Sequence, residues 1–283
     1  MKMLLSLFIT MSLFTACNRN ERPVPVDQEP LPAKILRDVS YGDDSLQRMD
    51  IYLPNGRTPA TTKSIVLIHG GGWNAGNKTD FVSYIDSFQR RMPEYAIFNL
   101  NYRLYNGNNR FPTQEQDVKR AIDQIVERAQ EYGINSSELV LLGASAGGHL
   151  ALLQAYKYRQ PAVRAVIDFF GPADLEAMYA RPWHPLVTYA LQMITGTTPV
   201  LDPDIYRNSS PVNFITAQSP PTLIFHGDHD QVVNLSQSKA LQSALTKAGV
   251  ENDLIVYPGA GHGWYGPTLS KSFDRIEAFL RGK

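Results

Sequence analysis

The fold is decided by the stretch Leu139-Val140-Leu141-Leu142-Gly143-Ala144-Ser145-Ala146-Gly147-Gly148-His149-Leu150-Ala151. Its apolar start predicts a buried strand, and the residues after Ser145 predict a helix that packs against it. Between strand and helix lies Gly143-x-Ser145-x-Gly147, the pattern of a nucleophile elbow. A serine on so sharp a turn has strained backbone angles, so the residues two before and two after it must be very small. An ordinary Gly/Ser turn is the alternative, but the position between strand and helix favours an exposed, reactive Ser145.

Strand and helix patterns alternate from Lys34 onward, and this alternation predicts an α/β fold. The longest helix is well marked, because Val118 and Ile122 recur at helical spacing and Gly133 follows as a stop. The first two strands have no helix between them, which predicts an antiparallel hairpin. The others predict a mostly parallel, eight-stranded sheet flanked by helices. The predicted strands are 34–40, 48–53, 64–69, 95–102, 138–143, 163–169, 221–226 and 253–257, and the predicted helices are 80–91, 113–132, 146–158, 235–248 and 268–281.

Residues 171–215 interrupt the alternation. The segment carries aromatic side chains, among them Tyr179 and Trp183, between several prolines, and it lies between two core strands. This position predicts a cap over the carboxyl end of the sheet, the edge at which parallel sheets build active sites. A loop-rich surface decoration is the alternative. Because caps commonly set specificity, we expect the information on the substrate to lie in this segment.

A run of three glycines follows the third predicted strand, in the motif His69-Gly70-Gly71-Gly72-Trp73. Consecutive glycines leave their backbone N–H groups bare, so that two of them can converge on one oxygen atom. The N–H groups of Gly71 and Gly72, with that of Ala146, are predicted to form an oxyanion hole for a tetrahedral intermediate. A glycine run alone could be a flexible turn. The strand before it and the elbow later in the chain favour the oxyanion hole.

Two later loops carry acidic and histidine side chains, His226-Gly227-Asp228-His229-Asp230 and Gly259-Ala260-Gly261-His262-Gly263. His262 is predicted to take the proton from Ser145 and later to return it to the leaving group, while an aspartate orients the imidazole. Asp228 and Asp230 are both candidates for that aspartate. Asp228 is close to the strand end and well placed to accept hydrogen bonds from its own turn. Asp230 lies further out on the loop, where its carboxylate can reach His262.

Together these motifs resemble those of the α/β-hydrolase superfamily. Within it, the run at 69–73 is similar to that of esterases grouped with hormone-sensitive lipase, of bacterial feruloyl and acetyl esterases, and of aryl formamidases; Asn101-Tyr102-Arg103-Leu104 supports the likeness. The resemblance implies the α/β-hydrolase fold and a serine carboxylic ester hydrolase that works through an acyl-enzyme on Ser145. It implies Asp230 as the acid, because these esterases use the later residue of a His-Gly-x-x-Asp run. It implies no cofactor, since acyl transfer by this machinery needs neither metal nor nucleotide.

Other interpretations of these residues are weaker. His226-x-Asp228-His229 is similar to part of a zinc-ligand signature, but the further histidine two places earlier is replaced by Ile224, so we predict no metal. His149 belongs to a helix that packs inward, and a structural role is expected for it. An amidase acting on an activated amide, such as the N-formyl group that aryl formamidases cleave, is the close rival in chemistry. A catalytically inactive binding protein on the same fold is the remote one.

The first 33 residues are predicted to lie outside the catalytic domain at 34–283. Cys17 is the single cysteine of the chain. It is preceded by a basic residue, Lys2, by an apolar run at 4–14 and by Ala16. The run is far shorter than the ~20 residues that span a bilayer, so it predicts a signal peptide at 1–16. A small residue directly before a lone cysteine resembles a bacterial lipoprotein signal, which implies lipidation of Cys17. An ordinary signal with an incidental cysteine is the alternative. The polar, proline-rich composition of 17–33 predicts a tether.

These features predict an exported bacterial lipoprotein, anchored in a membrane by its lipid and facing the periplasm or the cell surface. There it would meet short acyl esters and ester-decorated carbohydrates, so we expect its substrate among these rather than a formamide of tryptophan breakdown. The formal net charge of zero gives no reason to expect nucleic acid as a partner. The acyl group, the alcohol and the oligomeric state stay open.

Overall fold

The computed structural model describes residues 30–158 and 160–282. The predicted signal peptide at 1–16, Cys17 and most of the tether at 17–33 lie outside the described residues. Within the described part of the chain, no helix combines the length and the apolar character needed to cross a bilayer.

Eight strands form one sheet in the order β1-β2-β4-β3-β5-β6-β7-β8. β2 pairs antiparallel with both β1 and β4, whereas every pair from β4 across to β8 is parallel. The predicted hairpin and the mostly parallel sheet are therefore confirmed. The strands are β1 (Lys34–Ser40), β2 (Arg48–Leu53), β3 (Ser64–Ile68), β4 (Ala96–Leu100), β5 (Leu139–Ala144), β6 (Ala165–Phe169), β7 (Thr222–Gly227) and β8 (Asn252–Tyr257).

Helices cover both faces of the sheet, and the central strand β3 shows how the core divides. Ile65 and Leu67 belong to the cluster on one face, Val66 and Ile68 to the cluster on the other, and all four side chains are fully buried. This is the two-residue alternation expected of a strand with a helix layer on each side. The first face is covered by α1 (Val82–Arg91) and α9 (Gly266–Arg281), and the second by α2 (Thr113–Glu127), α4 (Ala146–Lys157) and α8 (Ser236–Lys247).

The predicted helix at 113–132 is divided in two. Arg128 takes φ −97° and ψ 15°, outside the helical region, so that α2 ends at Glu127 and a separate turn, α3 (Ala129–Tyr132), follows. Gly133 ends this turn in the left-handed conformation, with φ 65°, as the stop signal predicts. The prediction of a single helix was wrong at this point. The apolar residues keep their helical spacing across Arg128, so the spacing does not indicate the backbone break.

The interrupted region at 171–215 is mostly helical. Its three short helices are α5 (Leu175–Ala180), α6 (Pro185–Thr195) and α7 (Pro203–Asn208), followed by a 3₁₀ turn at Pro211–Phe214. Capping side chains and prolines begin them: Asp174 accepts from the Ala177 N–H, and Pro185 and Pro203 occupy first-turn positions. This cap segment connects the end of β6 to the start of β7.

Candidate active site

Ser145 stands on a strained turn between β5 and α4. Its φ of 55° and ψ of −121° lie outside the regions that a residue with a side chain prefers. Two glycines make the turn possible. A Cβ on Gly143 would lie 2.1 Å from the Gly147 carbonyl oxygen, and one on Gly147 would lie 1.9 Å from the Ile68 carbonyl oxygen. The Gly143-x-Ser145-x-Gly147 pattern therefore reflects two close backbone contacts.

The structure brings Ser145, His262 and Asp230 into one hydrogen-bonded chain. The Ser145 Oγ lies 2.9 Å from His262 Nε2, and His262 Nδ1 lies 2.7 Å from Asp230 Oδ2. Each side chain comes from the end of a different strand, β5, β7 or β8, as expected for the carboxyl edge of a parallel sheet. The arrangement can transfer a proton from the serine hydroxyl to the imidazole while the carboxylate stabilises the charged ring.

The Asp230 carboxylate is completely buried and fully hydrogen-bonded. Its Oδ1 accepts from the N–H groups of Val232, at 2.7 Å, and Val233, at 2.9 Å. Its Oδ2 also lies 3.4 Å from His226 Nε2. Burial by itself would raise the pKa of Asp230, but the hydrogen bonds from His226, His262 and Val232 outweigh burial and hold this pKa well below its usual range. The carboxylate therefore carries its charge beside His262.

Asp228 occupies a different position from the one expected. It is exposed, and its Oδ1 accepts from the Gly259 N–H at 2.6 Å, on the loop after β8 rather than on its own turn. The reason lies in the sheet, where Gly227 pairs with Tyr257 and brings the two loops side by side. The amides of the turn after β7 bond to Asp230 instead.

Three residues that line the cleft with Ser145 have backbone N–H groups that are free to donate. Those of Gly71, Gly72 and Ala146 donate to no hydrogen-bond acceptor in the described part of the chain, and all three residues line the cleft. Gly71 has φ 106°, and a Cβ there would lie 2.2 Å from the Ala75 carbonyl oxygen, so only glycine fits this turn. Free donors of this kind can bind the negative oxygen of a tetrahedral intermediate.

The cleft above Ser145 has a volume of about 780 Å³. The glycine run and His262 form its floor, and the cap contributes Met178, Trp183 and Val187 to its wall. Most of the remaining lining side chains are apolar, which suits an acyl group or a sugar ring more than a charged ligand. The cap thus lies where 171–215 was expected to lie, over the carboxyl end of the sheet.

A family model described as BD-FAE matches residues 49–245, more than half of the chain. The match includes the glycine run, the elbow at Ser145 and the loop that carries Asp230. The chain belongs to the BD-FAE family.

Among curated relatives of this BD-FAE chain, esterase LipC from Mycobacterium tuberculosis is 26% identical over 81% of this chain and 59% of its own length. The acetylxylan esterase of Xylanibacter ruminicola is 24% identical over 84% of this chain and 48% of its own length. The chain thus spans about half the length of the curated relatives it matches.

Among the solved structures that resemble the BD-FAE chain, two match it over most of both molecules. A truncated carbohydrate esterase from gut microbiota is 26% identical, with a TM-score of 0.76 over 90% of this chain and 99% of that one. The propionate-bound esterase Est2 of Thermogutta terrifontis is 26% identical, with a TM-score of 0.71 over 88% and 94%.

Tyr102 supports the glycine run in this BD-FAE structure. Its ring stacks on His69 at 4.4 Å between centroids, and its hydroxyl donates to the His69 carbonyl at 3.0 Å. The His69 ring contacts the Gly70 carbonyl through Nδ1 at 2.8 Å. His69 thus braces its loop. The role of Tyr102 was missed, although the motif at 101–104 was the signal that could have found it.

His149 connects the glycine run, α4 and the cap. Its Nδ1 accepts from the Trp73 indole N–H at 3.2 Å, and its Nε2 donates to the Ser209 carbonyl at 2.7 Å. Burial lowers the pKa of His149 to about 4, so the ring is neutral. The structural role expected for His149 agrees with these contacts. Its partners are far away in sequence and could not be predicted.

Phe170 and His226 complete the surroundings of the BD-FAE site. Phe170 has a φ of 45°, and its ring packs 4.5 Å from that of His262, a contact that no local sequence signal indicates. Both ring nitrogens of His226 have protein partners, Ser238 Oγ at 2.7 Å and the Val233 carbonyl at 2.8 Å. In residues 30–158 and 160–282, no group of three or more histidine, cysteine or acidic side chains is arranged to hold a metal ion.

Proposed function

We propose that this protein is a serine carboxylic ester hydrolase that removes short acyl groups, including those attached to carbohydrates. The observation that carries the proposal is the hydrogen-bonded chain from Ser145 through His262 to Asp230, at 2.9 and 2.7 Å, beside three free N–H groups. A nucleophile, a base and an oxyanion site in one cleft are the parts that acyl transfer needs.

In the proposed reaction, Ser145 Oγ attacks the ester carbonyl carbon while its proton passes to His262 Nε2. The carbonyl oxygen becomes negative and accepts hydrogen bonds from the N–H groups of Gly71, Gly72 and Ala146. The tetrahedral intermediate collapses, His262 returns the proton to the departing alcohol oxygen, and an acyl-enzyme remains on Ser145. Water then attacks the acyl carbon while its proton passes to His262. As the bond to Ser145 Oγ breaks, His262 returns the proton to Ser145 Oγ, and the carboxylic acid leaves.

Asp230 has two roles in this proposal. Its Oδ2 holds the His262 Nδ1 proton, which keeps Nε2 free to accept the serine proton. Its charge stabilises the imidazolium that forms when the proton is transferred. The low pKa of Asp230 supports this assignment, because a carboxylate that stays ionised can act as a counter-charge over a wide pH range.

The relatives support an ester substrate and favour a carbohydrate alcohol. They include proteins described as an acetylxylan esterase and as a carbohydrate esterase, and one structure holds propionate. The apolar wall formed by the cap is compatible with a small acyl chain close to Ser145.

The proposal is tested by Ser145→Ala with p-nitrophenyl acetate as substrate. We expect kcat to fall by at least roughly 10⁴-fold with an unchanged thermal midpoint, because no other group replaces the nucleophile. A serine-directed fluorophosphonate should label the wild-type protein once, at Ser145. Ser87→Ala, on α1, is the matched control. Hydrolysis by Ser145→Ala within tenfold of wild type would overturn the mechanism.

We further propose that the chain is an exported bacterial lipoprotein, with the lipid attached to Cys17 and a tether at 17–33. The support is the sequence pattern, a basic residue, a short apolar run and Ala16 directly before the single cysteine. Anchoring would hold the hydrolase at a membrane facing the periplasm or the cell surface.

A further inference from the structure

A second cavity adjoins the cleft above Ser145. It has a volume of about 350 Å³ and lies between the cap and the loop that follows β7. Met178, Trp183 and Val187 line both spaces, so their side chains form the boundary between them. On the loop after β7, Val233 lines the cleft and the next residue, Asn234, lines the second cavity. The two spaces are therefore adjacent, with Trp183 at their boundary.

Gln237 presents hydrogen-bond donors to the second cavity. The residue is only 5% exposed, and its Oε1 accepts from the N–H groups of Ala173, at 3.0 Å, and Asp174, at 2.8 Å. These two bonds fix the orientation of the amide. Its Nε2 has no hydrogen-bond partner in the described part of the chain. This nitrogen is not fully enclosed by protein, so it can donate to a ligand or to water in the cavity.

Further polar side chains line the same cavity. The Asn234 Oδ1 accepts from the Ser236 N–H at 2.9 Å, which leaves the Asn234 amide nitrogen without a partner among residues 30–158 and 160–282. Arg181, an exposed residue, also lines the cavity and contributes a positive charge. Asp174 supplies an acceptor of opposite charge. The lining thus offers several donors and an acceptor with little net charge.

Trp183 adds a flat apolar surface beside these polar groups. The residue is 43% exposed and lies at the boundary of the two spaces. A pyranose ring has an apolar face of C–H groups that packs on an aromatic ring, and an edge of hydroxyl groups that both donate and accept. A neutral sugar therefore matches this lining better than an alkyl chain, which would leave the amides unpaired. The opposite charges of Asp174 and Arg181 nearly cancel, so the lining favours neither an anion nor a cation.

We propose that the second cavity is a binding site for a neutral pyranose unit, the neighbour of the sugar whose ester lies at Ser145. The unit stacks on Trp183 and accepts hydrogen bonds from Gln237 and Asn234. This inference deepens the proposed function and rests on it, since the cavity then selects oligosaccharide esters over small ones. Gln237 and Asn234 do not line the cleft and are therefore the residues to change.

The test compares the full-length wild type with Gln237→Glu and Asn234→Ala. Gln237→Glu keeps the oxygen that accepts from Ala173 and Asp174 but replaces the donor. The measurement is the ratio of kcat/KM for acetylated xylo-oligosaccharides to kcat/KM for p-nitrophenyl acetate. We expect each variant to lower this ratio roughly tenfold, the effect of one lost hydrogen bond between neutral groups. Gln89→Glu, the same change on the exposed surface of α1, should leave the ratio unchanged.

Calorimetric titration with xylotetraose, mannotetraose and cellotetraose, which carry no ester, tests binding separately from catalysis. The site is supported if wild type binds at least one of these sugars and both variants bind it more weakly at an unchanged thermal midpoint. If the sugar binds but neither the acetylated oligosaccharides nor p-nitrophenyl acetate is hydrolysed, only the proposed function is overturned. Hydrolysis of p-nitrophenyl acetate without binding of any of the three sugars would overturn the site and leave the proposed function standing. The sugar site would also be overturned if both variants kept the wild-type ratio of kcat/KM for the two substrates.

Discussion

Asp230 and Asp228 lie two residues apart on one loop and have different surroundings. Asp230 is buried against His262, whereas Asp228 is exposed and bonded to the Gly259 N–H. We expect Asp230→Asn to lower kcat by roughly 10³–10⁴-fold, because an amide lacks the counter-charge and favours the wrong imidazole tautomer. Asp228→Asn keeps an oxygen that can accept from Gly259, so it should cost less than about 1 kcal/mol in unfolding free energy and leave kcat near wild type.

Both variants are measured for kcat on p-nitrophenyl acetate and for thermal midpoint. Asp228→Asn serves as the matched control, since it removes the same charge from the same loop. A folded but inactive Asp228→Asn, together with an active Asp230→Asn, would show that the acid has been assigned to the wrong residue.

His149 makes stability depend on pH. Its pKa is about 4 in the folded protein and ~6.5 in an unfolded chain. Between these values the unfolded chain binds a proton that the folded protein does not, so stability falls as pH falls through this window. His149→Gln can accept from Trp73 and donate to Ser209 without titrating. We expect it to remove about 3 kcal/mol of the loss between pH 6.5 and pH 4.

The measurement is the free energy of urea unfolding for wild type and His149→Gln at several pH values. The difference between the two proteins is the relevant quantity, because Asp168 acts in the opposite sense. Burial raises the pKa of Asp168 to about 7, so lowering the pH towards 4 stabilises the folded state through that residue in both proteins. Parallel stability curves from pH 7 to pH 4 would contradict the role given to His149.

At the scale of elements, the glycine run depends on the segment after β4. Tyr102 is fully buried, and its hydroxyl holds the His69 carbonyl at the start of the run. We expect Tyr102→Phe to lower stability by about 1 kcal/mol and kcat by up to roughly tenfold, with KM little changed, because the run loses a restraint but no contact with substrate.

Tyr105→Phe is the control for that change. It removes a hydroxyl from the same segment, where the contact is a weak one to the Met193 sulfur at 3.9 Å. Equal effects of the two substitutions on kcat would argue against a positioning role for Tyr102.

The elements could be predicted because each carries its own local signal. The strand that ends before Ser145, the glycine run and the stop at Gly133 all depend on residues within a few positions of one another. The division of the helix at Arg128 could not be predicted, since the apolar spacing continues across it. Nor could the contacts of Phe170 and His149, because their partners come from other elements that only the folded chain brings near.

At the scale of the molecule, local pattern predicted the number of strands and most of their directions but not their order. β4 lies between β2 and β3, although β3 precedes it in the chain. That arrangement arises from crossover connections whose handedness and packing involve the whole sheet. The loops with Ser145, Asp230 and His262 could nevertheless be expected to meet, because parallel strands end at a common edge.

The N-terminal proposal is tested on whole cells. We expect wild-type protein in the membrane fraction and Cys17→Ser released from it or incompletely processed, because two or more acyl chains give stable anchoring and the serine variant can carry none. Ser145→Ala, which keeps Cys17, should fractionate like wild type. Wild-type protein found entirely in a soluble fraction would count against lipidation.

The distribution of tryptophan gives the molecule a native fluorescent reporter. Of its three tryptophans, Trp73 and Trp264 are 5% and 9% exposed, whereas Trp183 is 43% exposed at the boundary between the cleft and the second cavity. Long-wavelength emission and quenching by acrylamide therefore come mainly from the cap. A sugar stacked on Trp183 shields the indole from acrylamide. Binding in the second cavity can therefore be measured as reduced quenching of tryptophan fluorescence, without a label and without turnover.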